Sequence, residues 1–548
     1  MLNRPLTFAP LLLALAACSS SPSSADGGAD AGSDAAQQDA APPSYGASVL
    51  QHHNSAARSG LYKDAAITRA SAKQLHLDAT FVAKLNGPTY AQPLFFDAMG
   101  AGKDLVIIGT EQDEVTAFDA SNGAIVWQKK LGTPVKHSTL PSGCANIDPL
   151  GITSTGVIDP ATRTVYMAAM TTDDDSVTKK HRIFALSLDD GAIKSGWPVD
   201  VSAALTNPKF DSLFQHQRGA LALLGGTLYV PYGGHFECGG HNGWVVAVPT
   251  KDPTQTTAWR TRAPEGGVWA PGGIASDGTS LFITTGQSSQ TAGPWADSKG
   301  LLRLTPPGPT FSTDAADYWA PTDWLSQGQD VGSAQPLPLD MPDSTPSKLL
   351  VAFARGGGRM VLLDRDNLGG VGGEIVKRAA VTSDIITAPI TYTTDKGTYV
   401  VFNGYGTGCP NGKAGNLTAV KVTPGSPPTL STAWCAVTNG NGIPMVTTTD
   451  GTHESVVWAV GTEGLDPKSN GTIPGDQRLH GFDGDTGEVL YDGGAASIAD
   501  GGVDGGSAEG GAPTGDTMTL TRRYTTPIAA KGRIFVGADD RLYAFTVK

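Results

Sequence analysis

The side chains most able to bind a metal ion lie together in a glycine-rich segment, residues 235–241, whose sequence is HFECGGH. His235, Cys238 and His241 are ligand types that hold zinc or copper, and His216 would add a fourth ligand if its strand runs beside this segment. The alternative interpretation is that Cys238 forms a disulfide and that the histidines are surface residues of a loop. We favour this alternative for an exported protein, because export permits disulfides.

Arg218 and Trp269, like His216, stand near the start of two of the repeat units described below, and they are the other candidates for a ligand site. The first strands of such units line a central channel, where Arg218 could hold an anionic ligand. We predict instead that Arg218 pairs with a carboxylate of a neighbouring unit, which is the commoner role for a cation in a channel. His52 and His53 precede the repeats, and we expect both to be solvated, since adjacent side chains of a strand point apart.

The elements that position these residues come from a weak repeat of about fifty residues. The clearest unit covers residues 90–132 and contains four short runs of β-branched and aromatic residues, each bounded by turn residues. Similar units begin near residues 152, 218, 269, 333, 387 and 442. The last unit supplies only three strands, within residues 526–545, and residues 77–85 offer a fourth.

Pairing of the two ends of the chain would complete an eighth unit and remove exposed sheet edges. We therefore predict an all-β fold, an eight-bladed β-propeller closed by its N- and C-terminal strands, with a seven-bladed ring as the alternative count. The composition agrees, because 70 Gly and 37 Pro make up about one in five of the 548 residues and only 17% are charged. Such a chain is unlike a helical bundle or a coiled coil, and it lacks the glycine period of collagen.

An apolar run at the N-terminus, residues 11–17, ends at Cys18 and is far too short to span a bilayer. Residues 15–18, LAAC, resemble a bacterial lipobox, in which cleavage leaves Cys18 as the lipid-bearing first residue. The alternative is an ordinary signal peptide cut near Ala17. Ser19 follows Cys18, and in the sorting pattern that this resembles, a residue other than Asp directs a lipoprotein to the outer membrane, at its periplasmic face or at the cell surface.

The remaining boundaries follow from composition. We predict a signal peptide at residues 1–17, a flexible tether at 18–45, an extension packed on the propeller at 46–76, and the propeller itself at 77–548. Residues 493–515 are rich in Gly, Ala and Asp, and we expect them to form a disordered surface insertion. The net charge of −13 and the lack of a basic stripe argue against a nucleic-acid partner.

Four cysteines remain after Cys18, and they allow three pairings. Cys409 and Cys435 are close in sequence and are the preferred pair, which would leave Cys144 to pair with Cys238 across a long loop. No Cys-x-x-Cys-His motif occurs, which excludes a covalently attached haem of that type.

Two short motifs recur at the ends of the repeat units. Asp119, Gly123 and Trp127 share the spacing of Asp483 and Gly487, where a tyrosine follows in place of the tryptophan, and residues 189–197 contain a stretched copy. The pattern resembles the blade-docking motif of quinoprotein-type eight-bladed propellers. The resemblance implies that the glycine serves the turn into the outer strand and that the aromatic ring packs between neighbouring blades.

Residues 144–155, 216–218 and 361–367 also resemble bacterial secreted repeat proteins described as pyrroloquinoline-quinone-like. Quinoprotein dehydrogenases of this fold use a disulfide between adjacent cysteines, a tryptophan floor, and a calcium ion held by Glu, Asn and Asp, with an Asp as base. The chain has no adjacent cysteines, and no segment matches the calcium ligands, so no catalytic residue is assigned.

The predicted function is therefore a lipid-anchored, monomeric binding or scaffolding module of the cell envelope, with an envelope protein or a glycan as partner. In plan it resembles the propeller lipoprotein of the outer-membrane barrel assembly machinery. One alternative is a dehydrogenase of alcohols or sugars that depends on pyrroloquinoline quinone and calcium. A second alternative is a propeller that binds or cleaves polysaccharides and uses Trp269, Trp295 and Trp319 as sugar platforms.

Overall fold

The computed structural model describes residues 46–235, 238–383, 387–465, 472–473, 475–493, 516–518 and 520–547. The predicted signal peptide, the tether with Cys18, and nearly all of the insertion at 493–515 lie outside the described residues.

Eight antiparallel sheets follow one another along the chain and form an eight-bladed β-propeller, as predicted. Blade 1 contains Leu94–Phe96, Leu105–Thr110, Glu114–Asp119 and Ile125–Lys130. Blade 2 contains Val157–Asp159, Thr164–Thr172, Lys180–Ser187 and Val199–Asp200, with Thr133–Pro134 beside Thr164–Thr172. Blade 3 contains Gln215–His216 and Ala222–Leu224, both paired with Thr227–Gly234, and then Trp244–Pro249 and Thr257–Arg260.

The next four blades repeat this order. Blade 4 contains Ala275–Ser276, Leu281–Thr284, Leu301–Thr305 and Tyr318–Ala320, with Thr310–Phe311 and Gly370–Val371 at its outer side. Blade 5 contains Leu337–Asp340, Lys348–Ala354, Arg359–Asp364 and Val376–Ala379. Blade 6 contains Ile390–Thr394, Gly397–Asn403, Leu417–Thr423 and Thr429–Ala436. Blade 7 contains Met445–Thr448, Val456–Val460, Leu479–Asp483 and Val489–Asp492.

The described helices are short connectors, and one small hairpin lies outside the blades. The α-helical turns are Arg69–Ala72 and Val201–Ala204, the 3-10 turns are His52–Asn54, His137–Thr139, Pro253–Gln255, Ala315–Asp317 and Pro410–Gly412, and the hairpin pairs Gly464–Leu465 with Thr472–Ile473. Within the described residues, no helix has the length and apolarity to cross a membrane.

Blade 8 closes the ring by joining the two ends of the chain. Its C-terminal strands are Ile528–Ala530, Arg533–Gly537 and Arg541–Thr546. His76–Leu77 and Ala83–Lys84, from the N-terminal side, pair with the last of these strands. The predicted closure by terminal strands is confirmed, and the alternative count of seven blades is wrong.

The hydrophobic core is divided among the seams between blades. In one cluster, Ile107 of blade 1 packs with Val165 and Phe184 of blade 2, and all three side chains are fully buried. The strands Leu105–Thr110 of blade 1 and Thr164–Thr172 of blade 2 are buried at every position. Strands that are buried on both faces need apolar residues throughout, which is why the repeat units contain nearly continuous β-branched runs.

Aromatic residues of outer strands dock on the turn glycines of the next blade. The Trp127 Nε1–H donates to the Leu188 carbonyl at 2.8 Å, and a Cβ on Gly191 would lie 2.6 Å from the Trp127 ring. Trp434 of blade 6 makes the same kind of contact with blade 7, since its Nε1–H donates to the Gly484 carbonyl at 2.9 Å. A Cβ on Gly487 would lie 2.8 Å from the Trp434 ring, so a side chain at Gly191 or at Gly487 would push the two neighbouring blades apart.

The glycines of the two closely matching motifs, Gly123 and Gly487, also lie at seams between blades. The Gly123 and Gly487 amides donate to the carbonyls of Asp119 and Asp483, each at 2.8 Å, and both glycines have φ near +75° (78° and 71°). A Cβ on Gly123 would lie 2.7 Å from the backbone carbonyl carbon of Val82, in the N-terminal part of blade 8. These positions require glycine both for the turn and for the close approach of the next blade.

The central channel is occupied by residues 49–64, which we call the channel segment. Val49 forms a β-bridge with Phe95 of blade 1, and Leu61–Lys63 pairs in parallel with the first strand of blade 7. Further hydrogen bonds join the segment to blades 2, 3, 4, 6 and 8. The segment is thus held to the inner strands around most of the ring.

Arg58 lies at the innermost turn of the channel segment and is fully buried. Its guanidinium donates to the carbonyls of Ile274 at 2.9 Å, Leu221 at 2.8 Å and His52 at 3.0 Å. Burial lowers its pKa to about 9. The side chain joins blades 3 and 4 to the segment without any carboxylate.

The expected exposure of His52 and His53 is wrong. Their side chains are only 2% and 0% exposed, and their rings lie 4.3 Å apart, because the chain turns inside the channel at this point. His53 has a φ of 55°, so the two adjacent rings do not point apart as they would in a strand. Burial lowers the pKa of His53 to about 3, and the histidine stays neutral at pH 7.

The two disulfides are Cys409–Cys435 and Cys144–Cys238, as the preferred pairing predicted. The first closes a loop at the edge of blade 6. The second joins the segment after blade 1 to the segment 235–241 of blade 3, and so removes Cys238 from the set of possible metal ligands.

We expect Trp127→Ala to lower the free energy of unfolding by about 3–5 kcal/mol, because it opens a cavity at a seam and leaves the Leu188 carbonyl without a donor. Ile125→Ala on the same strand is the matched control, since Ile125 is 53% exposed and should change stability by less than about 0.5 kcal/mol. Urea unfolding of both variants tests this, and equal effects would show that the seam contact contributes little.

Candidate functional site

A group of polar side chains, the channel cluster, lies at the end of the channel beyond the turn of the channel segment. It consists of Glu111, Asp113, Thr153, His216 and Arg218. Glu111 and Asp113 belong to the turn after the second strand of blade 1, Thr153 to the connection before blade 2, and His216 and Arg218 to the first part of blade 3. Of these five residues, only His216 and Arg218 were predicted from the sequence as candidates for a ligand site.

Arg218 stacks on aromatic rings instead of forming the predicted ion pair. Its guanidinium carbon lies 5.0 Å from the centre of the Tyr524 ring and 5.9 Å from that of Tyr90. Among the described residues, no carboxylate lies within ion-pair distance of it, because these rings, from the segments before blades 8 and 1, occupy its sides. A cation held by ring faces is stabilised by their quadrupoles.

The cavity beneath Arg218 is very small. It is lined by His52 of the channel segment and by residues of several blades, including Tyr90, Thr153 and Tyr524, and its volume is about 10 Å³. That space holds about one water molecule. The channel segment therefore fills the room that an open ring would leave at this level.

Glu111 and Asp113 form a buried acidic pair that the sequence did not reveal. Both side chains are 0% exposed, and the Glu111 carboxylate accepts a hydrogen bond from the Gly151 amide at 2.7 Å. Its other oxygen and both oxygens of Asp113 have no partner among the described residues. Burial raises the pKa of Glu111 to about 7 and raises that of Asp113 well above its ordinary value.

Local sequence could not have identified this pair. TEQD between two β-runs is typical of an exposed turn. The turn is buried because Gly151 packs directly against it: a Cβ there would lie 2.4 Å from the Glu111 carbonyl oxygen and 2.7 Å from a carboxylate oxygen of Asp113. The buried acidic pair can thus be recognised from a contact between blades 1 and 2, and not from a sequence motif.

His216 and His235 stack on each other, with ring centres 5.0 Å apart. His216 Nε2 lies 3.2 Å from the Thr153 hydroxyl, and both ring nitrogens of His235 are buried without a partner. Burial lowers the pKa of His235 to about 3. His235 and His241 are 0% and 4% exposed, so the interpretation of these histidines as surface loop residues is wrong.

The structure does not complete a metal site around His235 and His241. Cys238 is bonded to Cys144. Within the part of the chain that is described, no three or more His, Cys, Asp or Glu side chains surround a position for a metal ion. The described residues therefore offer no third ligand of these types for the predicted site.

The three tryptophans proposed as sugar platforms differ in exposure. Trp319 is only 1% exposed and donates its Nε1–H to Glu374 at 2.9 Å, so it is no platform. Trp295 is half-buried, with one face on the Tyr318 ring at 4.2 Å. Trp269 is also half-buried, and its ring edge lies against Gly286 and Gly332.

An open groove lies between blades 4 and 5, and we call it the outer groove. Its volume is about 440 Å³. It is lined by Gln287, Ser288, Ser289, Gln290, Thr291, Lys299, Leu325, Gln327 and Gly328. In size it falls in the range of small-ligand pockets, about 300–1,000 Å³.

The channel does not fit a quinone held as the sequence resemblance implies. The two disulfides join residues 94 and 26 positions apart, so neither is formed by adjacent cysteines. A cavity of about 10 Å³ is far below the volume that a three-ring quinone occupies.

Comparison with solved structures identifies the fold. A quinohemoprotein alcohol dehydrogenase from Comamonas testosteroni aligns with a TM-score of 0.56 at 14% identity, over 91% of this chain and 80% of its own. One from Pseudomonas putida HK5 gives 0.58 at 13% over the same shares. A europium-containing methanol dehydrogenase gives 0.54 at 12%, over 90% of each chain.

At these identities the likeness shows the fold alone: an eight-bladed propeller of the quinoprotein dehydrogenase type. No model of a known protein family matches the sequence, and no curated protein matches it significantly.

The pKa of Glu111 makes the stability of the protein depend on pH in a defined direction. Its folded value of about 7 exceeds the ordinary 4.5, so the carboxyl stabilises the fold below pH 4.5, and this contribution is lost as the pH rises through 7. Glu111→Gln mimics the protonated form. We expect its stability relative to the native protein to rise by about 3 kcal/mol between pH 4.5 and 8.

Urea unfolding at several pH values measures this difference and separates it from the titration of the buried histidines, which both proteins share. Glu488→Gln, at an exposed position, controls for the loss of an acid elsewhere. A difference between Glu111→Gln and the native protein that stays constant with pH would contradict the assignment.

Proposed function

We propose that the protein is a non-redox binding module of the cell envelope, built on a quinoprotein-type propeller whose channel is closed by its own N-terminal segment. The observation that carries this proposal is the position of the channel segment, with Arg58 fully buried between blades 3 and 4. A cofactor would have to displace a guanidinium and leave three carbonyls without a donor, at a cost of about 1–3 kcal/mol for each.

The burial of the side chains that could act as acids, bases or ligands favours binding over catalysis. Glu111, Asp113 and His235 have unpartnered polar atoms, but all three side chains are 0% exposed. A catalytic acid, base or ligand must reach its substrate within about 3 Å. The outer groove is one accessible concave surface, and its walls are neutral amides and hydroxyls with one lysine. A second, of about 420 Å³, lies between blades 1 and 8 and is lined by charged residues of both signs, among them Asp104, Lys531 and Arg533.

The dehydrogenase alternative draws its support from the three structural neighbours named above, which are themselves dehydrogenases. Identities of 12–14% carry a fold and not an activity. The missing adjacent cysteines and the filled channel count against it.

We expect no saturable change in quinone absorbance or in melting temperature when full-length protein in detergent is titrated with pyrroloquinoline quinone and calcium, because the channel has room for about one water. Trp269→Ala is the matched control, because Trp269 is half-buried and its ring is a candidate to stack on a quinone. Saturable binding that Trp269→Ala abolishes would overturn the proposed function.

We also propose that Cys18 carries a lipid that anchors the chain at the outer membrane, with residues 18–45 as tether and the propeller as a monomer. Residue 47, near the start of the described chain, marks one face of the propeller. The Ala47 amide donates to Asp97 at 2.9 Å, at the beginning of strand Leu105–Thr110, whereas Glu111 follows the end of that strand. The outer groove follows the corresponding strand of blade 4 and therefore lies on the face opposite residue 47.

We expect metabolic labelling with an alkyne fatty acid to mark the native protein and to fail for Cys18→Ser, because the thioether bond requires the thiol. Ser19→Ala should keep the label and controls for disturbance of the signal region. Persistent labelling of Cys18→Ser would place the lipid at another residue and contradict the proposed anchor.

A further inference from the structure

The outer groove has the chemistry of a carbohydrate site. Two loops form its walls, residues 287–291 after the second strand of blade 4 and residues 325–328 before blade 5. Their side chains supply amides and hydroxyls, which donate and accept hydrogen bonds as sugar hydroxyls do. Leu325 adds an apolar surface, 41% exposed, against which the C–H face of a sugar ring could pack.

In the wall formed by residues 287–291, hydrogen bonds fix the Gln290 side chain, but one of its polar atoms has no partner among the described residues. The Gln290 Nε2 donates to the carbonyls of Ala292 at 3.2 Å and Pro294 at 2.7 Å, which fixes the amide. Its Oε1 is buried and has no partner among the described residues, and the same is true of the Ser298 hydroxyl beside the groove. Unpaired buried acceptors and hydroxyls are costly and are readily explained by a ligand or water that completes them.

Lys299 is the one charged residue among those that line the groove. The residue is only 3% exposed, and in the described structure its ammonium makes a single hydrogen bond, to the Ser326 carbonyl at 3.4 Å. A lysine has three donors, so two remain for a ligand. In a chain with 52 acidic and 39 basic residues, a groove lined by no acid and one ammonium is a local exception.

The electrostatic surroundings leave this ammonium under-compensated. Asp330 and Glu265 are the acids whose fields favour its charge, but neither is within ion-pair distance among the described contacts. Burial outweighs both, and the net effect is to lower the pKa of Lys299. A negatively charged group in the groove would offset that desolvation.

The backbone that carries Lys299 is strained and locked. Asp297 and Lys299 have φ values of 73° and 53°, which non-glycine residues rarely adopt. The Asp297 carboxylate holds the Arg262 side chain at 2.8 and 2.5 Å, and the Lys299 amide donates to Gly286 at 3.0 Å. Strain of this kind persists where the surrounding structure fixes a functional group.

We propose that the outer groove binds an anionic glycan, with sugar hydroxyls on the amide and hydroxyl walls and a carboxylate or phosphate of the glycan on the Lys299 ammonium. The proposal rests on the proposed function and names its ligand class. Uronic acids and sugar phosphates share this chemistry, and the two are distinguished by separate arms of the test.

The test is calorimetric titration of full-length protein in detergent with trigalacturonate, mannose 6-phosphate and maltotriose. We expect at least one anionic sugar to bind about tenfold more tightly than maltotriose, with a difference that shrinks as salt is raised. Lys299→Gln should remove that preference, whereas Lys251→Gln, at an exposed position near blade 3, should leave it unchanged. Equal affinity for maltotriose and the anionic sugars would overturn the proposal.

A second pair of variants guards against misfolding of Lys299→Gln. Gln327 is exposed at the groove, so Gln327→Glu should weaken binding of the anionic sugar and Gln327→Lys should strengthen it, each about three- to tenfold. Opposite effects at one exposed position cannot come from loss of the fold. Failure of all three sugars to bind overturns this inference alone, whereas binding of the quinone overturns the proposed function.

Discussion

The structure depends on a guanidinium buried in the middle of a ring and satisfied by backbone carbonyls. Arg58 donates to blade 3, blade 4 and its own segment, and each of those carbonyls belongs to an inner strand or to the chain beside one. An uncompensated charge in such a place would be expensive, but one with several hydrogen bonds can be kept. Because the segment is fixed at this point, it fills the channel, and the nearby histidines and acids are enclosed with it.

The channel segment fills the axis of a propeller whose fold resembles that of the structural neighbours. The propeller has eight sheets, and its axis is occupied by residues 49–64. Polar groups that would be exposed in an open ring, Glu111 and His235 among them, become buried atoms that alter stability with pH. The outer groove, in which Lys299 is the one charged residue among those that line it, lies outside this closed channel.

Much of the fold follows from local sequence, because its elements are short and its rules are local. β-branched runs, turn glycines such as Gly123 and the shortfall of one strand at the C-terminus were enough to predict eight blades and their closure. The channel was not predictable in this way. HHNSAAR looks like a polar loop, and its burial depends on carbonyls 163 and 216 residues away from Arg58. The same holds for Glu111, whose burial is set by Gly151 of the next blade.

The ring closure also determines when the protein can finish folding. Leu77 pairs with Phe545, so the strand His76–Leu77 must wait for the strand Arg541–Thr546, which is made after the other seven blades. Contacts of such long sequence separation are slow to form, and until then blade 8 presents an open edge. Residues 49–64 must meanwhile be enclosed as the blades gather around them. The newly made chain therefore exposes this edge until blade 8 closes, and the order of assembly is set by topology and not by the stability of any single blade.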